Sequence, residues 1–198
     1  MTDAIELLRR DHDEVRALLA QLEMTQLEMT QLEASTSQDR ADKRERRRAL
    51  VLRVVVRESA HEAIEEQYFW PVVRRRVHDG ARLADEAVNQ ELELKRMLDV
   101  LDGLDPAAPR FEPLLRQFTG KGRAHHEFEE RRVWPGVRLA LSEQELAELG
   151  AQLEQGRRLA PTRPHPNLSP EPEVLRLAGR IAGATDRIRD ALAGRSGH

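Results

Sequence analysis

The sequence predicts an all-α protein, an up-down four-helix bundle followed by additional C-terminal helices. Of the 198 residues, 34% are charged and 4% are aromatic, which favours long amphipathic helices over a β-sandwich. Apolar residues also recur at steps of three and four along several long stretches of the chain. Finally, the pattern of the first two stretches returns in the next two, as expected for two helical hairpins of similar design.

The first helix begins near Thr2 or Asp3, where Thr2 is a suitable N-cap. A pentapeptide, Gln-Leu-Glu-Met-Thr, occupies residues 21–25, recurs at 26–30 and nearly recurs at 31–35. Because five residues turn a helix by about 140°, the copies share no common face, and we interpret them as lengthening the first hairpin beyond the core. The inward stripe of this helix places one histidine among apolar residues: Ile5, Leu8, His12, Val15, Leu19 and Leu22.

Three further bundle helices are predicted at 39–78, 81–104 and 109–141. The first of these follows a capping sequence at 36–39. Pro71 lacks a backbone donor, so we expect a kink just after the motif that precedes it.

The remaining chain has a different character. A capping box at Ser142–Glu145 starts a fifth helix that ends near residue 158. Five prolines predict an extended segment at 160–172, and a last helix is predicted at 173–193. We therefore assign residues 1–141 to the bundle and 142–198 to a C-terminal extension that packs on the bundle or on a partner subunit.

Composition excludes several functional classes. The absence of cysteine excludes disulfides, thiolate–zinc sites, iron–sulfur clusters and cysteine nucleophiles. A net charge of −3 provides no electrostatic basis for binding nucleic acid. No apolar run approaches the roughly 20 residues that span a bilayer, and the N-terminus lacks a signal-peptide pattern. We therefore expect a cytoplasmic protein without nucleic-acid or membrane partners, present as a monomer or homodimer.

One motif occurs twice. Residues 61–71 and 125–135 both read H-x-x-x-E-E-x-x-x-W-P. A histidine and a glutamate four residues apart lie on one face of a helix, about one turn from each other. Because two such pairs on two helices can meet in the core of a bundle, the repeat predicts a two-metal site.

The first and third helices also align, residues 11–23 with 90–102, so that His12 falls opposite Glu91. Each hairpin then offers one ligand from its first helix and a His/Glu pair from its second. Several carboxylates in a core would repel one another and be poorly solvated, whereas bound cations remove that conflict. The predicted ligands are His12, His61 and Glu65 from the first half, with Glu91, His125 and Glu129 from the second.

Spacing alone leaves the second pair open, because His126 and Glu130 are also four residues apart. Alignment on the Trp-Pro dipeptide and the apolar stripe of that helix favour His125 and Glu129. His126 lies about 100° further round the helix, and we expect it outside the set of direct ligands.

Tyr68 follows Glu65 by three residues on the same face. Two roles stay open for it. It is either a half-buried core residue or a hydrogen-bond donor to a bridging carboxylate or to bound peroxide. Its counterpart in the repeat is Arg132, so the repeat does not support a ligand role.

Asp11-His12, His61-x-x-x-Glu65-Glu66 and His125-x-x-x-Glu129-Glu130 together resemble the hemerythrin-like family, in the branch with HHE-type cation-binding domains. The resemblance covers about residues 4–141. It implies an up-down four-helix bundle holding a non-haem di-iron centre with an oxo or hydroxo bridge. Glu65 and Glu129 would bridge the irons; His12 and His61 would complete one iron, and Glu91 and His125 the other.

Glu91 departs from the many relatives that have histidine at this position. Anionic oxygen ligands stabilise ferric over ferrous iron, which favours redox turnover over reversible oxygen carriage. The leading hypothesis is therefore a catalase- or peroxidase-like protein acting on peroxide, nitric oxide or dioxygen. The alternatives are a non-catalytic oxygen or nitric oxide binder, sensor or iron store, and a metal-free helical interaction protein. Manganese or zinc would suit the same ligands.

Overall fold

Helices make up most of the described chain, which a computed structural model covers at residues 2–30, 36–166 and 182–186. No residue in these ranges forms a β-strand, and the predicted all-α bundle with additional C-terminal helices is confirmed. The helices are α1 (Ala4–Thr30), α2 (Ser37–Ile64), α3 (Trp70–Arg76), α4 (Gly80–Gly103), α5 (Phe111–Phe128), α6 (Trp134–Ala140) and α7 (Glu143–Arg157).

Two apolar clusters form the core, one toward each end of the bundle. One cluster joins the middle of α1 and of α2 to the second half of α4 and the start of α5. The other joins the start of α1 and the start of α4 to α3, α6 and α7. The predicted polar ligands fall between the two clusters, so apolar side chains enclose them from both ends.

Both copies of the repeated motif contain a π-helical turn. Glu65–Phe69 joins α2 to α3, and Glu129–Val133 joins α5 to α6. In each turn, the backbone N–H of the following tryptophan donates to the backbone carbonyl five residues earlier. Trp70 donates to Glu65, and Trp134 donates to Glu129. A kink was expected after Pro71. The structure instead has a wider, π-helical turn just before this proline. Because proline cannot donate to the carbonyl four residues back, the α-helical ladder is already interrupted there.

Helix ends follow local sequence. Thr36 and Ser142 each form the predicted capping box, with Asp39 and Glu145 respectively. Gly80 begins α4 after Asp79, which has φ 56°. A Cβ at Gly80 would lie 2.0 Å from the carbonyl oxygen of Val73, so only glycine fits this turn.

Helix α7 packs closely on the bundle. Its Leu146, Leu149 and Leu153 are buried in the cluster that includes the start of α1. A Cβ at Gly150 would lie 2.5 Å from the carbonyl oxygen of Thr2, so the two backbones nearly touch. Of the last predicted helix only 182–186 lies within the described residues, where it is helical. Residues 31–35 of the pentapeptide repeat and 167–172 of the proline-rich segment lie outside them.

Among the described helices, none combines the length and apolar character that crossing a membrane would need.

Candidate metal centre

All six predicted ligands are buried in the polar layer between the two apolar clusters. Together with His126, their donor atoms fall into two groups, in each of which the atoms lie within 4.8 Å of one another. Every side chain is at most 2% exposed. The first group comprises His12, His61 and His126; the second comprises Glu65, Glu91, His125 and Glu129.

His126 differs from the expectation drawn from the repeat. It is 1% exposed, and its ring stacks on that of His12 with centroids 3.9 Å apart and planes 10° from parallel. The alignment of the two hairpins predicted only one buried face on α5. Neighbouring elements cover α5 over a wider arc, so the adjacent face that carries His126 is buried as well. Its counterpart in the repeat, Glu62, is buried as well. The double histidine at 125–126 was the available signal, because both members are buried in this layer.

Glu129, a member of the second group, also lies close to the first. Its Oε2 is 3.0 Å from His12 Nε2, and its Oε1 is 3.1 Å from His125 Nε2. Glu65 approaches the first group in the same way, with Oε2 3.3 Å from His61 Nε2. Each carboxylate thus has atoms near histidines or carboxylates of both groups, as bridging ligands would.

Three of the imidazoles are held from outside by their Nδ1 atoms. His12 Nδ1 lies 2.9 Å from Glu130 Oε1, His61 Nδ1 lies 3.4 Å from Asp11 Oδ2, and His125 Nδ1 lies 2.9 Å from Gln90 Oε1. With Nδ1 donating outward, Nε2 of the neutral ring carries a lone pair directed into the site. Outer partners of this kind fix the tautomer and ring orientation of metal-binding histidines.

Two arginines hold the outer carboxylates. Arg16 pairs with Glu130, and Arg157, from the end of α7, pairs with Asp11. Hydrogen bonds from His12 and Arg16 lower the pKa of Glu130 to about 2. Burial opposes charge on His12, but Glu129 and Glu130 outweigh it and raise its pKa to about 9.

The inner donor atoms have few partners of their own. Among the described residues, both oxygens of Glu65 and Glu129, Oε2 of Glu91 and Nε2 of His125 make no hydrogen bond. Burial, and then neighbouring carboxylates, raise the pKa of Glu65 and of Glu91 well above the usual value. Nitrogen lone pairs and carboxylate oxygens only 3.0–3.3 Å apart repel unless a proton or cation lies between them. The residues present therefore fit a bound cation.

Tyr68 lies apart from these atoms. Its side chain is partly buried, and its ring packs against Gly156 of α7, where a Cβ would lie 2.4 Å from Cε2. Among the described residues its hydroxyl makes no hydrogen bond to a site carboxylate. A role for Tyr68 beside the metal stays a prediction.

Several buried polar residues were not singled out by sequence reasoning. Glu58 Oε1 lies 3.5 Å from His126 Nε2, and neither oxygen of Glu62 has a hydrogen-bond partner among the described residues. Burial lowers the pKa of His126 to about 4, which keeps this imidazole neutral and able to bind a cation. Sequence reasoning missed these residues because it expected one buried face on each helix, whereas nearly all sides of α2 are buried around its motif.

A known family model and two known proteins match parts of this chain. Residues 3–135 match the family model described as hemerythrin HHE cation-binding domain. An uncharacterized hemerythrin-like protein of Schizosaccharomyces pombe is 24% identical over 133 residues, which are 67% of this chain and 66% of that protein. A DNA nickase of Nostoc sp. is 26% identical over 96 residues, 48% of this chain but 27% of that protein. The chain thus spans about two thirds of the first relative and about a quarter of the second.

Among solved structures, the chain is similar to a hemerythrin HHE cation-binding domain-containing protein from Mycobacterium kansasii. The TM-score is 0.62 and the identity 24%, over 94% of this chain and 99% of the other. At this identity the likeness concerns the fold. It extends beyond residue 135, where the family match ends, and so includes α7.

Proposed function

Because the chain belongs to the hemerythrin HHE cation-binding domain family, we propose that its buried histidines and glutamates hold two iron ions. The observation that carries this is the pair of adjacent donor groups, with Glu129 directing one oxygen toward a histidine of each. We propose iron because a mixed set of imidazole and carboxylate ligands suits it, although manganese and zinc accept similar donors.

The proposed ligand set is that predicted from the sequence with one addition. His12, His61 and His126 would hold one ion, Glu91 and His125 the other, and Glu65 and Glu129 would lie between the two. Iron bound there would supply one-electron redox chemistry toward peroxide, nitric oxide or dioxygen.

The chain's own residues orient the ligands and exclude water. Asp11, Gln90 and Glu130 each hold the Nδ1 of one imidazole, so that its Nε2 is presented inward. The apolar clusters on either side keep bulk water from the layer.

Redox turnover is the function we favour, with catalase- or peroxidase-like chemistry. Three buried carboxylates in the ligand set would stabilise the ferric state and so disfavour reversible oxygen carriage. His126 makes the first group entirely histidine, and this favours a second candidate, a non-catalytic binder of dioxygen or nitric oxide. A stable spectrum of an oxygen adduct that forms and reverses with oxygen pressure would identify the second.

The first test is metal stoichiometry. We expect two irons per chain after anaerobic loading, and loss of metal in His61→Ala and Glu129→Ala. His78→Ala is the matched control, because the His78 side chain is 96% exposed and belongs to neither donor group. Full occupancy in either ligand variant would contradict the site. Anomalous scattering across the iron and manganese edges would identify the metal in protein purified without added metal.

The second test is turnover. The iron-loaded wild-type protein should consume hydrogen peroxide faster than the same concentration of free iron. Equal rates would refute the redox function while leaving the metal site intact, and so direct attention to the binding function.

A further inference from the structure

The internal repeat extends beyond the ligands to the residues around them. Asp11 and Gln90 are equivalent in the repeat, and each accepts from the Nδ1 of the motif histidine in its own hairpin. Glu130 and Glu66 are likewise equivalent, as the second glutamates of the two motifs. Each pairs with a cation one turn beyond the ligand of the other hairpin: Glu130 with Arg16, and Glu66 with Lys95.

The two halves differ in what the second glutamate meets. Glu130 accepts a hydrogen bond from the Nδ1 of His12. In the other half Glu91 occupies the position of His12, and a carboxylate offers no N–H. With a metal bound, Glu91 would be ionised, and Glu66 would then face a second anion where Glu130 faces a donor.

Lys95 is the cation in this half. Its Nζ lies 2.6 Å from Glu66 Oε1, and both residues are buried. Burial disfavours the ammonium, but Glu66, Glu62 and Glu91 outweigh it and raise the pKa of Lys95, so the side chain is charged at neutral pH. The equivalent pair is much more open, with 35% of the Arg16 side chain and 27% of Glu130 exposed.

We propose that Lys95 is a positioning residue of the metal site, a buried cation that offsets the second anion introduced by Glu91 and thereby sets the charge around the adjacent ion. It binds Glu66 rather than the metal. The role rests on the proposed metal site and goes beyond it, because it concerns which oxidation state the site stabilises. A poorly screened charge close to a metal acts more strongly than one near the surface.

The test is the midpoint potential of the iron-loaded protein. Lys95→Met removes one positive charge, so ferric iron is favoured and the potential should fall below that of wild type. In the Lys95→Met background, Glu66→Gln removes the negative charge that Lys95 had neutralised, and it should return the potential toward that of wild type. Lys95→Arg keeps the charge and should change it little.

Arg16→Met is the matched control at the equivalent position. Because Arg16 is 35% exposed, water screens its charge, and its removal should shift the potential less than Lys95→Met does. An unchanged potential in Lys95→Met would overturn the proposal. A lowered potential that Glu66→Gln fails to restore would also overturn it, because the effect would then be one of packing.

Two further outcomes distinguish a failure of the Lys95 role from a failure of the metal site itself. If Lys95→Met does not retain iron, the readout becomes iron occupancy, which Glu66→Gln should restore; failure to restore it would overturn the role of Lys95. If wild type itself takes up no metal, the proposed function fails first, independently of any Lys95 variant.

Discussion

Replacing each tryptophan of the repeat by phenylalanine tests whether the metal layer is held by a specific hydrogen bond. Trp70 and Trp134 are equivalent in the two motifs, both follow a π-helical turn, and they are 1% and 2% exposed. Trp70 Nε1 donates to Glu91 Oε1 at 2.5 Å. Trp134 Nε1 has no hydrogen-bond partner among the described residues, and its ring stacks near His12 with centroids 5.0 Å apart.

The magnitude follows from this difference. Both substitutions remove similar apolar volume from the same cluster, so those costs largely cancel between them. Trp70→Phe also leaves a buried oxygen of Glu91 without its donor, which costs about 1–3 kcal/mol. Trp134→Phe removes a donor that already lacks a partner. At about 2–4 °C per kcal/mol for a chain of this size, Trp70→Phe should melt roughly 2–12 °C below Trp134→Phe.

Thermal unfolding of the metal-free variants, followed by circular dichroism, measures the gap directly. The same pair should then be loaded with metal. Trp70 orients a proposed ligand, so Trp70→Phe should weaken metal affinity by about 10–100-fold and Trp134→Phe by less. Equal melting temperatures together with equal affinities would refute the reasoning, because the hydrogen bond to Glu91 would then have no consequence.

Three more predictions follow from the charges around the site. In the metal-free protein, Glu91→Gln should raise the free energy of unfolding by an amount that grows with pH above 4.5. The reason is that folded wild type holds a proton on Glu91 that the unfolded chain releases. Denaturant titrations measure this gain, and a gain independent of pH would contradict the prediction. Arg157→Ala should speed metal release to a chelator, because it frees Asp11, which holds His61. The free energy of unfolding should change by about 1 kcal/mol or less, because the Arg157–Asp11 pair is partly exposed. Arg158→Ala, at an exposed neighbour, is the control. Added metal should raise the melting temperature more at neutral than at acidic pH, because binding displaces protons from Glu65 and Glu91; an equal rise at both would count against a carboxylate site.

The fold and most of the candidate ligands could be predicted from the sequence because their signals are local. Apolar spacing reports the helix period, and capping boxes at Thr36 and Ser142 mark helix starts within four residues. The repeat then located His12 opposite Glu91, because equivalent positions in two similar hairpins face the same core. Helix geometry directs each of these residues toward the core, and the structure places them together in one buried layer.

Other features depended on how the helices are rotated and how deeply each is enclosed. His126 could not be assigned from spacing, because the burial of a second stripe depends on the neighbours that cover α5. The link from Arg157 to Asp11 joins residues 146 positions apart and exists only because α7 folds back onto the start of the chain.

By itself, the sequence determined the four-helix pattern, its internal repeat and the six candidate ligands, since each rests on the position of a residue along one helix. Tertiary structure decided the rest: the addition of His126, the hydrogen bond from Trp70 to Glu91, and the burial of Lys95 beside Glu66. These contacts join different helices. The physical reason is that an inward direction follows from the helical period, whereas the partner met there, and the dielectric around it, depend on every element packed against that face.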